Sequence, residues 1–227
     1  MINIREARSA DFESIHKLIL NEFQSTPIQP HQWKRLLSRH WCTNDDPIGY
    51  VLTDDGNIVG FFGVCISYRT INRGVHKFCN LSTWVVKEQF RNNSLALLFN
   101  ILKMRNVIFT AFTPSATARD IYQALGFQEL ESRFIALLPI PSTNTFNAKY
   151  KLVFSQNKIA QLISDDHKVL LHDHLPFSST NVVIRKGGEY CLIIGKKTKK
   201  KRLPFLQILY ISNKDIFESY YKALAFT

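Results

Sequence analysis

The chain has 227 residues, of which 45% are hydrophobic and 21% are charged, and its formal net charge at pH 7 is +11. This composition excludes a largely disordered protein and fits one large domain or one domain with a smaller companion. The longest apolar runs, such as 134–139, fall far short of the roughly 20 residues that a bilayer-spanning helix needs, and the charged N-terminus does not resemble a signal peptide. We therefore expect a cytoplasmic protein without membrane contact, whose four cysteines are free thiols.

The first part of the sequence predicts strands and helices in alternation. Apolar residues recur at helical spacing after Ser9, which can cap a helix, and Pro27 and Pro30 break the chain between two helices. The segment Asp54-Asp55-Gly56-Asn57 is a strong hairpin turn between two apolar runs. These signals predict, in order, strand 2–6, helices 10–23 and 31–40, strands 48–53 and 58–68, and strand 78–86.

A helix that is apolar on nearly every face follows the strand that ends at Val86. Residues 87–93 are polar and turn-like apart from Phe90, and residues 94–103 form the apolar helix, which we expect to be buried against a sheet. The next signals predict strand 107–111, helix 116–125 and strand 130–138. The predicted fold class is therefore α/β with a mixed sheet.

The segment 139–145 contains prolines, serine and threonines and is the best candidate for a domain boundary. We therefore predict a first domain, 1–138, and a smaller C-terminal α/β extension, 139–227. Within this extension, the sequence predicts one or two helices over 158–171, strands 182–185 and 190–194 around a glycine turn, strand 206–211 and helix 214–224. Its order of helix, hairpin, strand and helix echoes the first domain, which suggests a truncated structural copy.

The turn that leads into the apolar helix has the features of an anion-binding site. The first amide groups of a helix have no internal acceptor, and the helix dipole adds partial positive charge at the same end. Arg91 supplies a full charge, the two asparagines after it tolerate left-handed backbone, and Ser94 can cap the helix. Many similar turns bind nothing, so the pattern alone leaves a bound anion and an empty turn equally open. The residues concerned are Arg91, Asn92, Asn93, Ser94, Leu95 and Ala96.

Two stretches of the sequence resemble the landmarks of the GNAT superfamily of N-acetyltransferases. Residues 86–98, Val-Lys-Glu-Gln-Phe-Arg-Asn-Asn-Ser-Leu-Ala-Leu-Leu, are similar to its acetyl-CoA signature, whose core is Arg/Gln-x-x-Gly-x-Gly/Ala. Residues 118–127 resemble the family's Tyr-x-x-Leu-Gly-Phe helix and exit, and the opening residues 4–7 with Asp11 look like the family's start. The resemblance covers residues 1–138 and implies a GNAT-like fold that binds acetyl-CoA.

The resemblance also implies a mechanism. Two parallel strands splay apart, and the pantetheine arm of acetyl-CoA lies between them like an added strand. Backbone N–H groups of Trp84, Val85 and Val86 would bind pantetheine and the thioester carbonyl, while the turn at 91–96 holds the pyrophosphate. Tyr122 maps onto the tyrosine that often protonates the leaving thiolate, and packing beside the cofactor is the equally open alternative.

The sequence does not identify the general base. Many family members have a glutamate where this chain has Asn80, which cannot accept a proton. His76, Ser82 acting through an ordered water, or a residue of the second half are the candidates, and an acceptor that is already partly deprotonated needs no base. Ser94 replaces the family's first loop glycine, so that its hydroxyl stands where backbone usually approaches phosphate.

Two further groups of residues invite functional interpretations. Trp33 and Trp41 lie where the family builds its acceptor wall, although core packing is the more common role of aromatic residues. Three histidines and an aspartate lie between residues 167 and 174, but their spacing matches no metal site, so a helix end or surface is the favoured interpretation and we expect no metal.

Six basic residues lie in the run 196–202. A solvated hairpin tip is the favoured interpretation of such a run, and attraction of an anionic cofactor, substrate or nucleic acid is the alternative. No aromatic residue interleaves the run, so the sequence does not indicate a platform for stacking bases.

The leading hypothesis is an acetyltransferase that moves the acetyl group of acetyl-CoA to a small-molecule or protein amine. One alternative is a GNAT-shaped sensor or partner module with weak or no catalysis, which the missing glutamate at Asn80 favours. The other is a basic nucleic-acid-binding protein, which rests on charge alone, so nucleic acid is not an expected partner. A homodimer stays open.

Overall fold

The computed structural model describes residues 1–23, 29–37, 46–130, 135–137, 150–177, 179–200 and 202–226. The chain divides into two compact units, Met1–Leu130 and Glu131–Thr227. The predicted boundary at 138–139 lies outside the described residues, as does most of the predicted strand 130–138. The described part of that strand, 135–137, has no regular structure.

The first unit is a mixed five-stranded sheet with helices on both faces. Its strand order is β1-β2-β3-β4-β5, and only the pair β4–β5 is parallel. The strands are β1 (Ile2–Glu6), β2 (Gly49–Asp54), β3 (Asn57–Ile71), β4 (Gly74–Val86) and β5 (Val107–Thr110). The helices are α1 (Phe12–Glu22), α2 (Pro30–Leu36), α3 (Ser94–Leu102) and α4 (Ala116–Ala124). The predicted mixed α/β class is confirmed.

The β2–β3 hairpin forms where the turn sequence predicts it. Asp55 and Gly56 join the strands with φ values of 46° and 82°. Two central residues with positive φ give a turn whose twist matches that of the flanking strands, and aspartate and glycine tolerate this backbone best. The turn fixes the register of β3, and β3 in turn carries β4.

Each face of the first sheet buries a separate apolar cluster. One face packs under α3 and α4, through Leu97, Leu98, Ile101 and Tyr122. The opposite face packs under α1 and α2, through Ile15, Leu18, Ile19 and Trp33. Successive residues of a strand point to opposite faces, so β4 contributes side chains to both clusters.

An ion pair ties β1 to the start of α1. The Arg5 guanidinium donates to both carboxylate oxygens of Asp11 at 2.7 and 2.8 Å, and the Arg8 amide donates to the same carboxylate at 2.7 Å. These bonds lower the pKa of Asp11, with the Arg5 bond as the largest cause. A short 3-10 turn, Ser9–Asp11, precedes α1, so Ser9 is not its cap as predicted; Asp11 is.

The described part of the second unit is an antiparallel four-stranded sheet, β6-β7-β8-β9, with three α-helices. The predicted helical region 158–171 forms two helices because the backbone is extended at Ile163 and Ser164. Its strands are β6 (Lys151–Val153), β7 (Thr180–Lys186), β8 (Glu189–Lys200) and β9 (Leu203–Ile211). Its helices are α5 (Gln156–Leu162), α6 (Asp165–His174) and α7 (Lys214–Tyr220).

Strand β8 runs well beyond the predicted end at residue 194. Most of the basic run therefore lies within a strand that pairs with β9, not in the turn itself. Lysine has a low strand propensity, and here the pairing with the apolar β9 overrides it. In the part of the chain that the structure describes, no helix is long and apolar enough to cross a membrane.

Candidate functional site

Strands β4 and β5 separate after a short parallel contact. They pair only from Lys77 with Val107 to Asn80 with Thr110. Strand β4 continues to Val86 and pairs there only with β3, on its other side. Within the described residues, the edge of β4 from 81 to 86 that faces away from β3 therefore has no strand beside it. This edge borders a cleft whose backbone groups are available to an extended ligand.

A bulge in β4 accounts for the separation. The register with β3 steps from Val64–Leu81 to Phe62–Trp84, so that Ser82 and Thr83 both lie opposite Gly63. An extra residue bends the bulged strand and increases its twist. A Cβ on Gly63 would lie 3.1 Å from a ring carbon of Phe61, which explains the glycine there. The bulge turns β4 away from β5 at the start of the cleft.

Trp84 and Tyr122 meet on the α3/α4 face of the cleft. Their rings are stacked with centroids 6.3 Å apart, and Trp84 also stacks on Phe62 at 4.8 Å. The indole Nε1 of Trp84 is buried without a hydrogen-bond partner. A buried donor without a partner lowers the stability of the fold by about 1–3 kcal/mol. A ligand that accepts a hydrogen bond from this indole would remove that cost, which supports a ligand site beside the cleft.

Tyr122 is held by the end of α4. Gly126, at φ 88°, turns the chain so that the amides of Gly126 and Phe127 donate to the carbonyls of Gln123 and Tyr122, both at 3.0 Å. This is the Schellman arrangement that glycine favours at a helix end. The Phe127 ring then folds back onto the Tyr122 ring, with centroids 5.2 Å apart. The Tyr-x-x-Leu-Gly-Phe pattern therefore fixes the tyrosine against the cleft.

The chemistry of Tyr122 follows from its burial. Desolvation raises the pKa of its phenol to about 12, and no hydrogen bond contributes to that shift. The hydroxyl therefore keeps its proton at neutral pH and has no described acceptor. Tyr122 packs as a core residue, as the alternative interpretation expected, and it also presents a protonated hydroxyl next to Trp84.

The turn between β4 and α3 differs from the expected one. Residues Glu88–Asn93 form a 3-10 helix that runs directly into α3, and no residue between 87 and 96 has a positive φ. The expectation of left-handed backbone at the asparagines is therefore wrong, and right-handed backbone explains why serine and asparagine are tolerated where glycine is usual. Ser94 is the first helical residue and not the cap, which is Asn93.

The cationic and amide groups of this turn are only partly engaged. The Ser94 amide donates to the Arg91 carbonyl, and Asn93 makes no side-chain cap to α3. The Arg91 guanidinium lies 4.0 Å from the Glu88 carboxylate, and both side chains are mostly exposed. An exposed pair of this kind contributes little stability, so Arg91 can reorient toward a ligand at little cost. Leu95 and Ala96 supply the other amides of the first turn of α3.

The candidate bases lie in different places. Ser82 is in the bulge of β4, at the start of the strand edge that borders the cleft. His76 precedes it by six residues, about 20 Å along the strand, on the other side of the β4–β5 contact. The structure does not bring His76 to the cleft.

Thr110 joins Asn80 at the point where the strands part. The Thr110 hydroxyl donates to the Asn80 side-chain oxygen at 3.3 Å across the last β4–β5 pair. This contact closes the base of the cleft and engages the side chain that stands where the family often has glutamate. Sequence reasoning missed Thr110 because a threonine at the end of a short strand carries no signal of its own.

The predicted acceptor wall is described only in part. Trp33 is 4% exposed and packs in the cluster under α1 and α2 that also contains Val85 of β4. It therefore lies on the face of the sheet opposite Trp84 and Tyr122, as a core residue. Trp41 lies outside the described residues.

The histidines of the second unit make hydrogen bonds within the protein. Nδ1 of His167 lies 2.6 Å from the Tyr190 hydroxyl, and its Nε2 lies 3.0 Å from that of Tyr210. Nδ1 of His174 lies 2.8 Å from the Leu170 carbonyl near the end of α6. Across the described ranges, no three His, Cys, Asp or Glu residues are placed to hold a metal ion.

Cys79 and Cys191 are free thiols, and Cys42 lies outside the described residues. Burial raises the pKa of Cys79 to about 12 and also raises that of Cys191. A thiol that stays protonated is a poor nucleophile. Neither buried cysteine is therefore suited to covalent catalysis.

Comparison with known proteins gives structural matches alone. No protein-family model and no curated protein matches the chain. A Trypanosoma brucei acetyltransferase is similar, with 18% identity and a TM-score of 0.45 over 61% of this chain and 100% of that one. A Clostridium acetobutylicum predicted acetyltransferase with acetyl-CoA has 16% identity and a TM-score of 0.46 over 60% and 96%.

The aminoglycoside N-acetyltransferase AAC(6')-Iy in complex with CoA is similar as well. It has 17% identity and a TM-score of 0.44 over 61% of this chain and 95% of that one. All three of these proteins are acetyltransferases. At such low identities and TM-scores, we carry no residue role over from them.

Proposed function

We propose that the first unit binds acetyl-CoA in the cleft beside residues 81–86 of β4 and transfers its acetyl group to an amine. The separation of β4 from β5 after the Asn80–Thr110 pair is the observation that carries the proposal. A free strand edge accepts an extended ligand through backbone hydrogen bonds. The pantetheine arm contains two amide groups that suit such bonds, which supports this ligand over a rigid or fully apolar one.

The pyrophosphate would lie at the start of α3. The amides of Leu95 and Ala96 and the positive end of the helix dipole favour an anion there. The exposed Arg91 adds a guanidinium, whose planar donors suit phosphate oxygens. The residues that would hold acetyl-CoA are Trp84, Val85, Val86, Arg91, Asn92, Asn93, Ser94, Leu95 and Ala96.

Two groups of this chain would assist the transfer. Acetyl-CoA supplies a thioester, which is already activated for attack by an amine. The backbone amides of Trp84 and Val86 alternate with those of Val85 and Lys87, which face β3, and would stabilise the negative charge that develops on the carbonyl oxygen. The Tyr122 hydroxyl, which keeps its proton because its pKa is about 12, would donate that proton to the departing sulfur.

The general base is proposed after excluding the other side chains of β4. Strand β4 contains no aspartate or glutamate, and Asn80 is bonded to Thr110. We propose that Ser82 orders a water that receives the proton, or that the amine arrives neutral. If the amine arrives neutral, the rate rises with pH as the acceptor amine loses its proton. An acceptor with a different pKa then shifts the dependence of the rate on pH.

Release of coenzyme A in the presence of amines tests the transfer. We expect Tyr122→Phe to lower kcat by about 100-fold without changing acetyl-CoA affinity, because the hydroxyl acts only as the thiolate leaves. Tyr50→Phe is the matched control, since Tyr50 is a buried tyrosine of the same core cluster two strands away from β4. Equal rates for all three proteins would contradict the role of Tyr122.

A binding module without catalysis is the second candidate. The part of β4 that borders the cleft, residues 81–86, contains no carboxylate or histidine, and Asn80 cannot accept a proton, which favours this alternative. Saturable acetyl-CoA binding without coenzyme A release, across small amines and N-terminal peptides, would establish this alternative. No binding of acetyl-CoA would exclude both candidates.

A further inference from the structure

The β8–β9 hairpin extends beyond the rest of the second sheet as a two-stranded ribbon. Strand β7 pairs with β8 only as far as Gly195, whereas β8 and β9 stay paired from Lys196–Gln207 to Lys200–Leu203. Five residue pairs make a projection of roughly 17 Å. We call residues 196–200 and 203–207 the basic ribbon. In the described chain, no other strand flanks it.

The register of the ribbon places cationic and apolar residues on both of its faces. Paired residues share a face, so Lys196 lies with Thr198 and Phe205 on one face. Lys197 and Lys199 lie on the other, opposite Leu206 and Pro204. The sequence indicated no aromatic residue within the basic run. The fold supplies one, because cross-strand pairing sets Phe205 beside the lysines.

The apolar side chains of the ribbon are exposed. Leu203 is 61% exposed, Phe205 is 41% and Leu206 is 38%. Apolar side chains grouped in this way mark an interaction surface. The lysines on both faces would repel those of a second copy, so the charge points to an anionic partner.

The distribution of the charge selects among anionic partners. A lipid surface meets one face of a ribbon, and an acidic peptide meets one edge, so either would leave half of the lysines unused. The major groove of B-form DNA is about 12 Å wide, admits a two-stranded ribbon, and has phosphates along both walls. We propose that the basic ribbon binds double-stranded DNA by entering this groove.

Each part of the ribbon has a role in this arrangement. Lysines on the two faces would contact phosphates on the two walls of the groove, which gives affinity without sequence preference. With β9 lowest in the groove, Phe205 on one face and Leu206 on the other would contact base edges at the two sides of the groove floor, where apolar side chains meet thymine methyl groups. This binding is independent of the acetyl-CoA cleft, which belongs to the other unit.

The test uses the full chain and a labelled duplex of about 20 base pairs, with anisotropy titrations from 50 to 200 mM salt. The variant K196Q/K197Q/K199Q removes three ribbon charges. The matched control K17Q/K34Q/K158Q removes three charges from exposed lysines of α1, α2 and α5. Loss of three phosphate contacts reduces the magnitude of the slope of log K against log salt by about 2.7. Between 50 and 200 mM salt, the affinity of the variant should therefore fall by a factor roughly 40-fold smaller than that of the wild type.

We expect this change in the ribbon variant and an unchanged slope in the control. We expect Phe205→Ala to weaken binding about tenfold with the slope unchanged, because it removes no charge. An equal change in both triple variants would overturn the proposal by assigning the effect to net charge. No duplex binding, tighter binding to the single strand, or binding to phosphatidylserine vesicles in its place would overturn it as well.

Discussion

The two units share one order of secondary-structure elements and differ in the elements that follow it. Strand, two helices, three antiparallel strands and a helix occur as β1 to α3 in the first unit and as β6 to α7 in the second. In both, a bulge faces a glycine of the preceding strand: Gly63 opposite Ser82 and Thr83, and Gly195 beside the extra residue Leu209. Among the described residues, only the first unit adds a parallel strand, β5, and only there do two strands separate to form a cleft.

The two units also differ at the start of the helix that follows their third antiparallel strand, which is α3 in the first unit and α7 in the second. In the second unit, Asn213 caps α7 by accepting from the Ile216 amide at 3.1 Å, and Ser212 is bonded to Leu192. In the first unit, a longer connection leads to α3, whose cap residue Asn93 makes no such bond. The start of α3 therefore lacks the side-chain cap that Asn213 provides at the start of α7, and under the proposed function this is the position that receives the pyrophosphate.

Reversing the charge at the open helix start is expected to have the largest effect. Arg91→Glu removes a charge-assisted contact and adds repulsion, together about 2–3 kcal/mol, so the Kd for acetyl-CoA should rise about 100-fold. Arg105→Glu makes the same charge change beyond the other end of α3 and should leave Kd unchanged. Calorimetric titration measures both. Equal affinities of the two variants would contradict the assigned pyrophosphate site.

Alanine substitutions at Gly63 and Gly195, the glycines that face the two bulges, are expected to have the next largest effect. A Cβ would lie 3.1 Å from a ring carbon of the buried Phe61 at Gly63 and 3.1 Å from the backbone oxygen of Gln207 at Gly195, so either alanine should lower stability by about 1–3 kcal/mol. Only Gly63→Ala should also weaken acetyl-CoA binding, because only that bulge borders the cleft. Thermal melts with and without acetyl-CoA separate the two effects. Loss of ligand stabilisation in Gly195→Ala would contradict the assignment to the first unit.

The ion pair at the start of the first unit predicts a pH dependence. Because Arg5 lowers the pKa of Asp11, the stabilisation is present above the unfolded pKa, near 3.8, and is lost as the pH falls through the lower folded pKa. Asp11→Asn should therefore cost about 1–2 kcal/mol at pH 7 and progressively less below about pH 4. The matched change Asp165→Asn in the second unit removes a solvent-exposed pair with Lys168 and should have little effect.

Urea unfolding at several pH values measures the dependence. A cost of Asp11→Asn that does not change with pH would show that its carboxylate charge is not the stabilising feature.

The helix caps give the smallest expected difference. Asn213→Ala removes the bond to the Ile216 amide and should cost about 1 kcal/mol, whereas Asn93→Ala removes no cap bond and should stay within about 0.5 kcal/mol. Melting temperatures of the two variants test this order. A larger loss for Asn93→Ala would mean that α3 is capped after all.

Local patterns predicted much of the first unit. Asp55 and Gly56 fixed the hairpin because only a few residue types accept two positive φ values in succession, and Gly126 fixed the end of α4 for the same reason. The resemblance predicted Tyr122 in a helix that ends before Gly126, and it predicted a turn before α3; the structure has both elements, and the functional roles of these residues stay predictions. Signals of this kind act over a few residues and are visible without the fold.

The remaining features depend on pairing between distant segments. The contact of Thr110 with Asn80, the distance of His76 from the cleft and the bulge at Ser82 all follow from strand register, which no short pattern encodes. The extension of β8 into the lysines depends on its partner β9 in the same way. The sequence therefore predicted local turns and the order of the elements better than it predicted which side chains meet between strands.

Hydrogen exchange with and without acetyl-CoA tests the central claim most directly, because the second unit is an internal control within one chain. The account predicts slower exchange in peptides that contain residues 81–86 and 94–98, and unchanged exchange in the corresponding segment, 206–216. Protection confined to the second unit, or no protection at saturating acetyl-CoA, would contradict it.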